Sequence, residues 1–144
     1  WKVLMNWVGG LERNDHQYDR IGMETVSKKA RFPKHCWMDL VYPGADKYPF
    51  KILMSHDPSH WEGQVRTDYP AVDLMLSGHT HGMQFGIDTK HYRWSPVKLV
   101  YKEWIDLYTE GKQHLYVNRG VGYLGLPGRI GINPEISVFP LKQA

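Results

Sequence analysis

Two apolar runs that end in serine decide the fold of this chain, and a histidine closely follows each. The first is Ile52-Leu53-Met54-Ser55-His56-Asp57-Pro58, and the second is Val72-Asp73-Leu74-Met75-Leu76-Ser77-Gly78-His79-Thr80-His81-Gly82. Short apolar runs of this kind are typical of buried β-strands. The segment between them is long enough for a crossover connection, so the two strands are predicted to be parallel neighbours in an α/β sheet.

Three histidines follow these predicted strands. His79 and His81 are two residues apart, so both point the same way in extended backbone, and His56 follows the other strand. Neutral imidazoles are common metal ligands, and open α/β sheets place ligands at the carboxyl edge of their strands. His56, His79 and His81 are therefore candidate metal ligands, and the alternative is that they only line turns.

The rest of the chain predicts further elements around this pair of strands. Asp57 with Pro58 predicts a helix start, where Asp57 is the candidate N-cap. His60 is expected to be a surface or helix residue. Two strands are predicted between Gly10 and Val26 with a polar turn at residues 14–17, and additional strands over residues 83–87, 115–117 and 136–141.

Composition indicates one folded domain. The chain has 144 residues, 42% hydrophobic residues and a net charge of +3, which excludes a disordered chain and is compatible with a phosphate substrate. Its single cysteine, Cys36, excludes an internal disulfide. Without a dense basic patch or a recognised motif, nucleic acid is not an expected partner. Because the chain begins at Trp1 and has no run that could cross a membrane, any membrane segment is expected upstream.

The two histidine motifs together resemble a known family. Ser55-His56-Asp57-Pro58 followed by Ser77-Gly78-His79-Thr80-His81-Gly82 is similar to the C-terminal half of calcineurin-like metallophosphoesterases. The tail, with Asn118-Arg119-Gly120 and Pro134-Glu135-Ile136, resembles the bacterial, often membrane-associated phosphodiesterase branch. The family's Asp-x-His, Gly-Asp-x-x-Asp and Gly-Asn-His-Asp/Glu motifs do not occur. We therefore expect residues 1–144 to be the C-terminal portion of one metallophosphoesterase domain, without its Asp-rich N-terminal half.

The resemblance implies a fold and a reaction. The fold is part of a β-sandwich flanked by helices, and the cofactor is two divalent ions (Mn, Zn, Fe or Mg) about 3.5–4 Å apart. His56 and His79 match ligands of the second ion, and His81 matches a ligand of the first. The family's catalytic histidine has no match, so no catalytic residue is assigned. The expected reaction is hydrolysis of a phosphodiester or pyrophosphate by a metal-activated hydroxide in the full-length protein, with little or no activity in this chain alone.

Two interpretations remain for the roles of several residues and for the function of the chain. Arg119 and Asn118 are candidate substrate-binding residues because a guanidinium can fork onto phosphate, although a structural salt bridge explains Arg119 equally well. Thr80 and Gln84 either orient ligands or occupy half-exposed loop positions. The substrate is expected to be a phosphate ester, with a lipid-linked ester included, and the protein to be cytoplasmic or membrane-associated. The alternative is a non-catalytic metal- or ligand-binding half-domain that forms a homodimer through exposed strand edges.

Overall fold

The structure is a computed structural model that describes residues 7–13, 16–22 and 38–141. Its strands are β1 (Trp7–Arg13), β2 (His16–Gly22), β3 (Lys51–Met54), β4 (Leu74–Ser77), β5 (Ile87–Asp88), β6 (Arg93–Trp94), β7 (Asp106–Glu110) and β8 (Gln113–Val117). Its helical segments are α1 (Met38–Val41), α2 (Arg66–Asp68), a π-helical turn (Trp61–Val65) and the 3₁₀ turns Tyr42–Lys47, His81–Gln84 and Pro96–Leu99.

Six of these strands form one mixed sheet in the order β1-β2-β3-β4-β8-β7, and β5 and β6 form a separate two-stranded sheet. The four inner strands β2, β3, β4 and β8 are parallel, and the two outer strands run antiparallel to their neighbours. The predicted parallel pair of β3 and β4 is therefore confirmed, and so is the strand at residues 115–117. The mixed sheet with helical connections is compatible with the predicted α/β class, while the β-sandwich stays a prediction.

A row of four fully buried side chains crosses the parallel strands. Ile21 pairs with Leu53, Leu53 with Met75, and Met75 with Leu115, and the exposed fraction of each is 0%. Alternate residues of a strand point to opposite faces, so this row lies on one face of the sheet. Trp61 and Val65 from the π-helical turn join the same cluster. This packing fixes the register of the inner strands, and so the position at which each strand ends relative to its neighbours.

A second, smaller core supports the chain after β4. Val97, Trp104, Ile105 and Ile132 form this cluster. Gly82 lies directly on it, since a Cβ at Gly82 would approach Cγ2 of Ile132 to 2.9 Å. The turn that carries His81 therefore rests on Ile105 and Ile132, two apolar side chains that are distant from it in sequence.

Two predicted strands are wrong. Residues 83–87 do not form one strand, because Met83 and Gln84 have φ of 55° and 57°, which is left-handed backbone. In this segment only Phe85, in a single bridge to Ile130, and the start of β5 are paired. Residues 136–141 form no strand and are held by side-chain contacts instead. The predicted first pair of strands is confirmed as the β1–β2 hairpin, while its end at residues 23–26 and Cys36 lie outside the described residues.

No helix within the described ranges has both the length and the apolar character needed to cross a bilayer.

Candidate functional site

The carboxyl ends of three inner strands meet at one edge of the sheet. Backbone hydrogen bonds continue past the strand ends: Gly78 N donates to the carbonyl of His56 (3.1 Å), and Asn118 N donates to the carbonyl of Ser77 (2.8 Å). The hydroxyl of Ser77 donates to the carbonyl of Ser55 (2.7 Å). The residues that follow β3, β4 and β8 are thus held side by side, as parallel strands require.

His56 and His79 are in direct contact at this edge. Their ring centroids are 5.0 Å apart, and the rings meet edge to face at 75°. Nε2 of His79 is 2.9 Å from the hydroxyl of Tyr101, which also lies 3.5 Å from Oδ2 of Asp57. Because a hydrogen bond at one ring nitrogen orients an imidazole, Tyr101 leaves Nδ1 of His79 as the atom available to a metal ion.

The backbone around the second histidine motif is strained. His79 and His81 have φ of 64° and 51°, so the prediction of extended backbone at these histidines is wrong, and Gly82, Met83 and Gln84 continue in the left-handed region. Left-handed backbone costs a non-glycine residue about 1–2 kcal/mol, and such strain tends to occur at functional sites. The hydroxyl of Thr80 donates to the carbonyl of Trp104 (2.7 Å) and so ties this turn to the second core.

His81 is the third histidine of this site, and one of its ring nitrogens has no hydrogen-bond partner among the described residues. This nitrogen is Nδ1, and it is buried. Burial is the main cause that lowers the pKa of His81, followed by the charge of Arg129 and by the two other histidines. The pKa of His56 is also lowered, first by burial and then by His79. Both imidazoles are therefore kept neutral, which is the form that binds metal ions.

The three imidazoles fit a divalent ion in chemistry but do not form a complete site. Within the described ranges, no group of three or more His, Cys, Asp or Glu side chains is arranged to hold an ion. The two rings in contact and the orphaned nitrogen of His81 are the features that a metal ion would satisfy. The arrangement therefore fits part of a ligand set, to which other ligands must be added.

Asp57 and His60 have structural roles beside this edge. Oδ1 of Asp57 accepts a hydrogen bond from Ser59 N (2.8 Å), which confirms the predicted N-cap. His60 has helical backbone directly before the π-helical turn, which confirms the helix alternative, while its side chain is only 2% exposed and is therefore not on the surface. The amide oxygen of Gln64 can only accept, so Nε2 of His60 donates to it (3.1 Å) and Nδ1 accepts from the hydroxyl of Ser55 (2.9 Å).

This neutral tautomer of His60 predicts a pH-dependent stability. Burial lowers the pKa of His60 below its ordinary value, so its contribution is fully present above about pH 6.5 and is lost as the pH falls below that value. Replacing His60 by Leu should cost about 1–3 kcal/mol near neutral pH, because Ser55 and Gln64 lose their partner. Urea unfolding with chelator present should show this cost shrinking at about pH 5.

The exposed His91 offers a matched control for the His60 prediction. The His91→Leu variant removes an imidazole from the surface and should change the free energy of unfolding by less than about 0.5 kcal/mol. A cost of His60→Leu that stays constant across this pH range would contradict the assignment of a neutral, buried His60.

The structure places Arg119 among carboxylates. Nη2 lies 3.0 Å from Oδ2 of Asp88 and 2.8 Å from Oδ1 of Asp106, and Nε lies 3.6 Å from Oε2 of Glu135. The side chain is only 14% exposed. These contacts are those of a structural salt bridge, which is one of the two explanations that the sequence allows for Arg119. Asn118 likewise bonds within the protein, donating to the hydroxyl of Ser137 (2.7 Å) and accepting from Gly120 N (2.6 Å).

Gln84 and Arg129 organise the glycine-rich loop next to the histidines. Gln84 is 2% exposed, and its amide donates to the carbonyls of Leu126 and Gly128 (both 2.7 Å). Of the two alternatives for Thr80 and Gln84, half-exposed loop positions are wrong, since both side chains are buried and bond to backbone. Arg129 is absent from the sequence-based candidates, because a lone cation in a loop carries no local signal of its contacts.

Comparison with known proteins assigns a relationship to this chain. It is 46% identical over 97 residues to a Bacillus subtilis protein named uncharacterized metallophosphoesterase YkuE. The aligned residues cover 65% of this chain and 32% of that protein. This chain is a homologue of metallophosphoesterases. It is also 37% identical over 93 residues to phosphodiesterase YaeI of Escherichia coli, covering 63% of this chain and 32% of the relative.

A third metallophosphoesterase homologue is a zebrafish (Danio rerio) protein named transmembrane protein with metallophosphoesterase domain. It is 36% identical over 95 residues, which cover 65% of this chain and 20% of the relative. The matched part of this chain thus spans a third or less of the length of each relative. No family profile matches the chain, and no solved structure does.

Proposed function

We propose that this protein is a metal-dependent phosphoesterase and that His56, His79 and His81 are imidazole ligands of its metal centre. The observation that carries the proposal is the placement of all three at one sheet edge, with two rings in contact and a buried, unpartnered nitrogen on the third. The names of the relatives support the reaction class. The bonds hydrolysed are phosphodiester or pyrophosphate bonds.

The residues of this chain have distinct tasks at the proposed centre. His56, His79 and His81 would hold two divalent ions, which when bound would polarise phosphoryl oxygens and activate water for attack. Tyr101 holds the ring of His79 through Nε2. Thr80 holds the strained turn between the two histidines on the carbonyl of Trp104. The rigid turn therefore presets the direction of both imidazoles before any ligand binds.

The remaining ligands are proposed to come from outside these residues. Three neutral imidazoles leave the charge of two divalent cations uncompensated, so carboxylates are required. The relatives are about three times as long as the matched segment or longer. We therefore propose that the chain is the C-terminal portion of a calcineurin-like β-sandwich, completed by further polypeptide or, in a homodimer, by a partner chain.

Membrane association and a lipid-linked phosphate ester are the finer parts of this proposal. The zebrafish relative is named as a transmembrane protein. This name supports a membrane location for the complete protein. Exposed apolar side chains occur in the loop near the proposed centre, including Tyr123 (68% exposed) and Leu124 (73% exposed). Such exposed apolar side chains are what a lipid substrate would cover.

The test of the function is hydrolysis of bis(p-nitrophenyl) phosphate by the protein expressed from its complete reading frame. We expect turnover that requires added Mn²⁺ or Zn²⁺ and is abolished by a chelator. Metal bound at the histidines without turnover of phosphodiesters or pyrophosphates would instead favour the non-catalytic half-domain.

The contact between Tyr101 and His79 makes a prediction of its own. Tyr101→Phe removes the hydroxyl that orients His79 and keeps the ring in place. Loss of such an orienting partner typically lowers metal affinity or activity about 10- to 100-fold, and metal titration of activity would measure it. Tyr92→Phe is the control, because Tyr92 is 58% exposed and lies in the turn between β5 and β6. Equal metal affinity in the two variants would contradict the role of Tyr101.

A further inference from the structure

The guanidinium of Arg129 is held rigidly beside the histidines. Its Nη2 donates to the carbonyls of Arg119 (2.9 Å), Gly120 (3.0 Å) and Gly122 (2.7 Å). These carbonyls lie at the start of the glycine-rich loop, and Arg129 lies at its end. Gln84 anchors the same loop through Leu124, Leu126 and Gly128. The loop is therefore closed upon Arg129, which fixes the direction of its guanidinium.

The other amino group of Arg129 has no partner. Nη1 is buried, and among the described residues it has no hydrogen-bond acceptor. Within the same part of the chain, no carboxylate lies at ion-pair distance from Arg129, whereas Arg119 contacts three. A buried donor without an acceptor costs about 1–3 kcal/mol, and more for a charged group. Arg129 as a whole is half-buried, so its buried and unpartnered Nη1 is best explained by an anion that arrives from outside the described residues.

Gly120 brings Arg129 and His81 to the same place. A Cβ at Gly120 would lie 3.9 Å from Cε1 of His81 and 4.0 Å from Nη2 of Arg129. The imidazole and the guanidinium therefore both border the space beside Gly120. An anion bound by Arg129 would lie next to the proposed metal ligands.

We propose that Nη1 of Arg129 binds a non-bridging oxygen of the substrate phosphate, and that Arg119 instead is the internal counterion of three carboxylates. The assignment rests on the proposed phosphoesterase function. A guanidinium suits the task because its donors are fixed in a plane and always charged. It would place the phosphoryl group against the histidines and balance the charge on its oxygens.

The test uses Arg129→Met in the protein expressed from its complete reading frame. Inorganic phosphate is the probe, measured as an inhibitor of bis(p-nitrophenyl) phosphate hydrolysis and by calorimetry. Loss of a charge-assisted hydrogen bond should raise both KM and the phosphate inhibition constant about 10- to 150-fold in Arg129→Met. The metal content should stay as in the wild type. Added guanidinium ion should partly restore phosphate inhibition in Arg129→Met and should leave phosphate inhibition of the wild type unchanged.

A loop-anchoring control separates binding from structure. Gln84→Leu removes contacts to the same loop without removing a charge, so it should lower the melting temperature and, by loosening the loop that holds Arg129, weaken phosphate inhibition by less than Arg129→Met does. If Gln84→Leu and Arg129→Met weaken phosphate inhibition equally, Arg129 acts through the loop and the assignment is overturned.

The remaining outcomes distinguish the two proposals. Metal-dependent hydrolysis with unchanged phosphate inhibition in Arg129→Met would overturn the assignment of Arg129 and leave the function standing. Phosphate binding that depends on Arg129 in a wild-type protein without hydrolysis would overturn the function and support the assignment. A wild-type protein that binds no phosphate would overturn the assignment of Arg129.

Discussion

His79→Ala is expected to abolish metal-dependent hydrolysis and to show the largest loss of activity among the variants considered. His79 contacts His56 directly and is oriented by Tyr101, so its loss removes one ligand and the support of a second. Orienting partners alone are worth about 10- to 100-fold, so removal of a ligand should exceed about 100-fold in activity at subsaturating metal. Initial rates measured against metal concentration would check this.

The exposed His91 is the matched control for His79, because it lies in the turn between β5 and β6 and has no motif around it. His91→Ala should keep both the rate and the metal dependence of the wild type. A His79→Ala protein with wild-type turnover at every metal concentration would remove His79 from the metal centre. Elemental analysis of the same samples would show whether any lost rate follows lost metal.

Arg119→Met is expected to destabilise the protein by about 3–5 kcal/mol. The substitution leaves Glu135 without a cation and leaves Asp88 and Asp106 with the exposed Arg93 alone, while Arg119 and these carboxylates are largely buried, with exposed fractions of 13–26%. Breaking a buried pair is costly because the remaining charge has no compensation. Urea unfolding of the variant would measure the change in the free energy of unfolding.

Arg93 gives a sharp control for the Arg119 prediction. It contacts Asp88 (3.0 Å) and Asp106, two of the same carboxylates, but its side chain is 49% exposed. Exposed ion pairs contribute about 0–1 kcal/mol, so Arg93→Met should cost far less than Arg119→Met. An Arg119→Met protein of normal stability but raised KM would contradict the structural role and restore Arg119 as a substrate ligand.

The parts of the fold that the sequence predicts are those set by local patterns. The apolar runs before His56 and His79 become β3 and β4 because each fits a strand buried in a parallel sheet. The parallel direction follows from the length of the connection, and it places the histidines at one edge without any knowledge of distant contacts. The N-cap at Asp57 is equally local, since its partner is Ser59.

The predictions that fail depend on contacts between distant residues. Residues 83–87 alternate like a strand, yet the second core under Gly82 and the hydrogen bonds of Gln84 favour a left-handed turn. Ile136 and its neighbours have strand-forming side chains, but the segment is held through Glu135 and Ser137 rather than by a backbone ladder. The partners of Arg119 are 13 or more residues away in the sequence, so a short sequence motif does not predict its ion pairs.

Anomalous diffraction from crystals of the Zn²⁺- or Mn²⁺-loaded protein, expressed from its complete reading frame, tests the central claim most directly. The account predicts anomalous peaks at the carboxyl edge of β3 and β4, with Zn²⁺ about 2.0–2.1 Å from nitrogens of His56, His79 and His81. Peaks elsewhere in the protein, with these three imidazoles unligated while the enzyme is active, would contradict it.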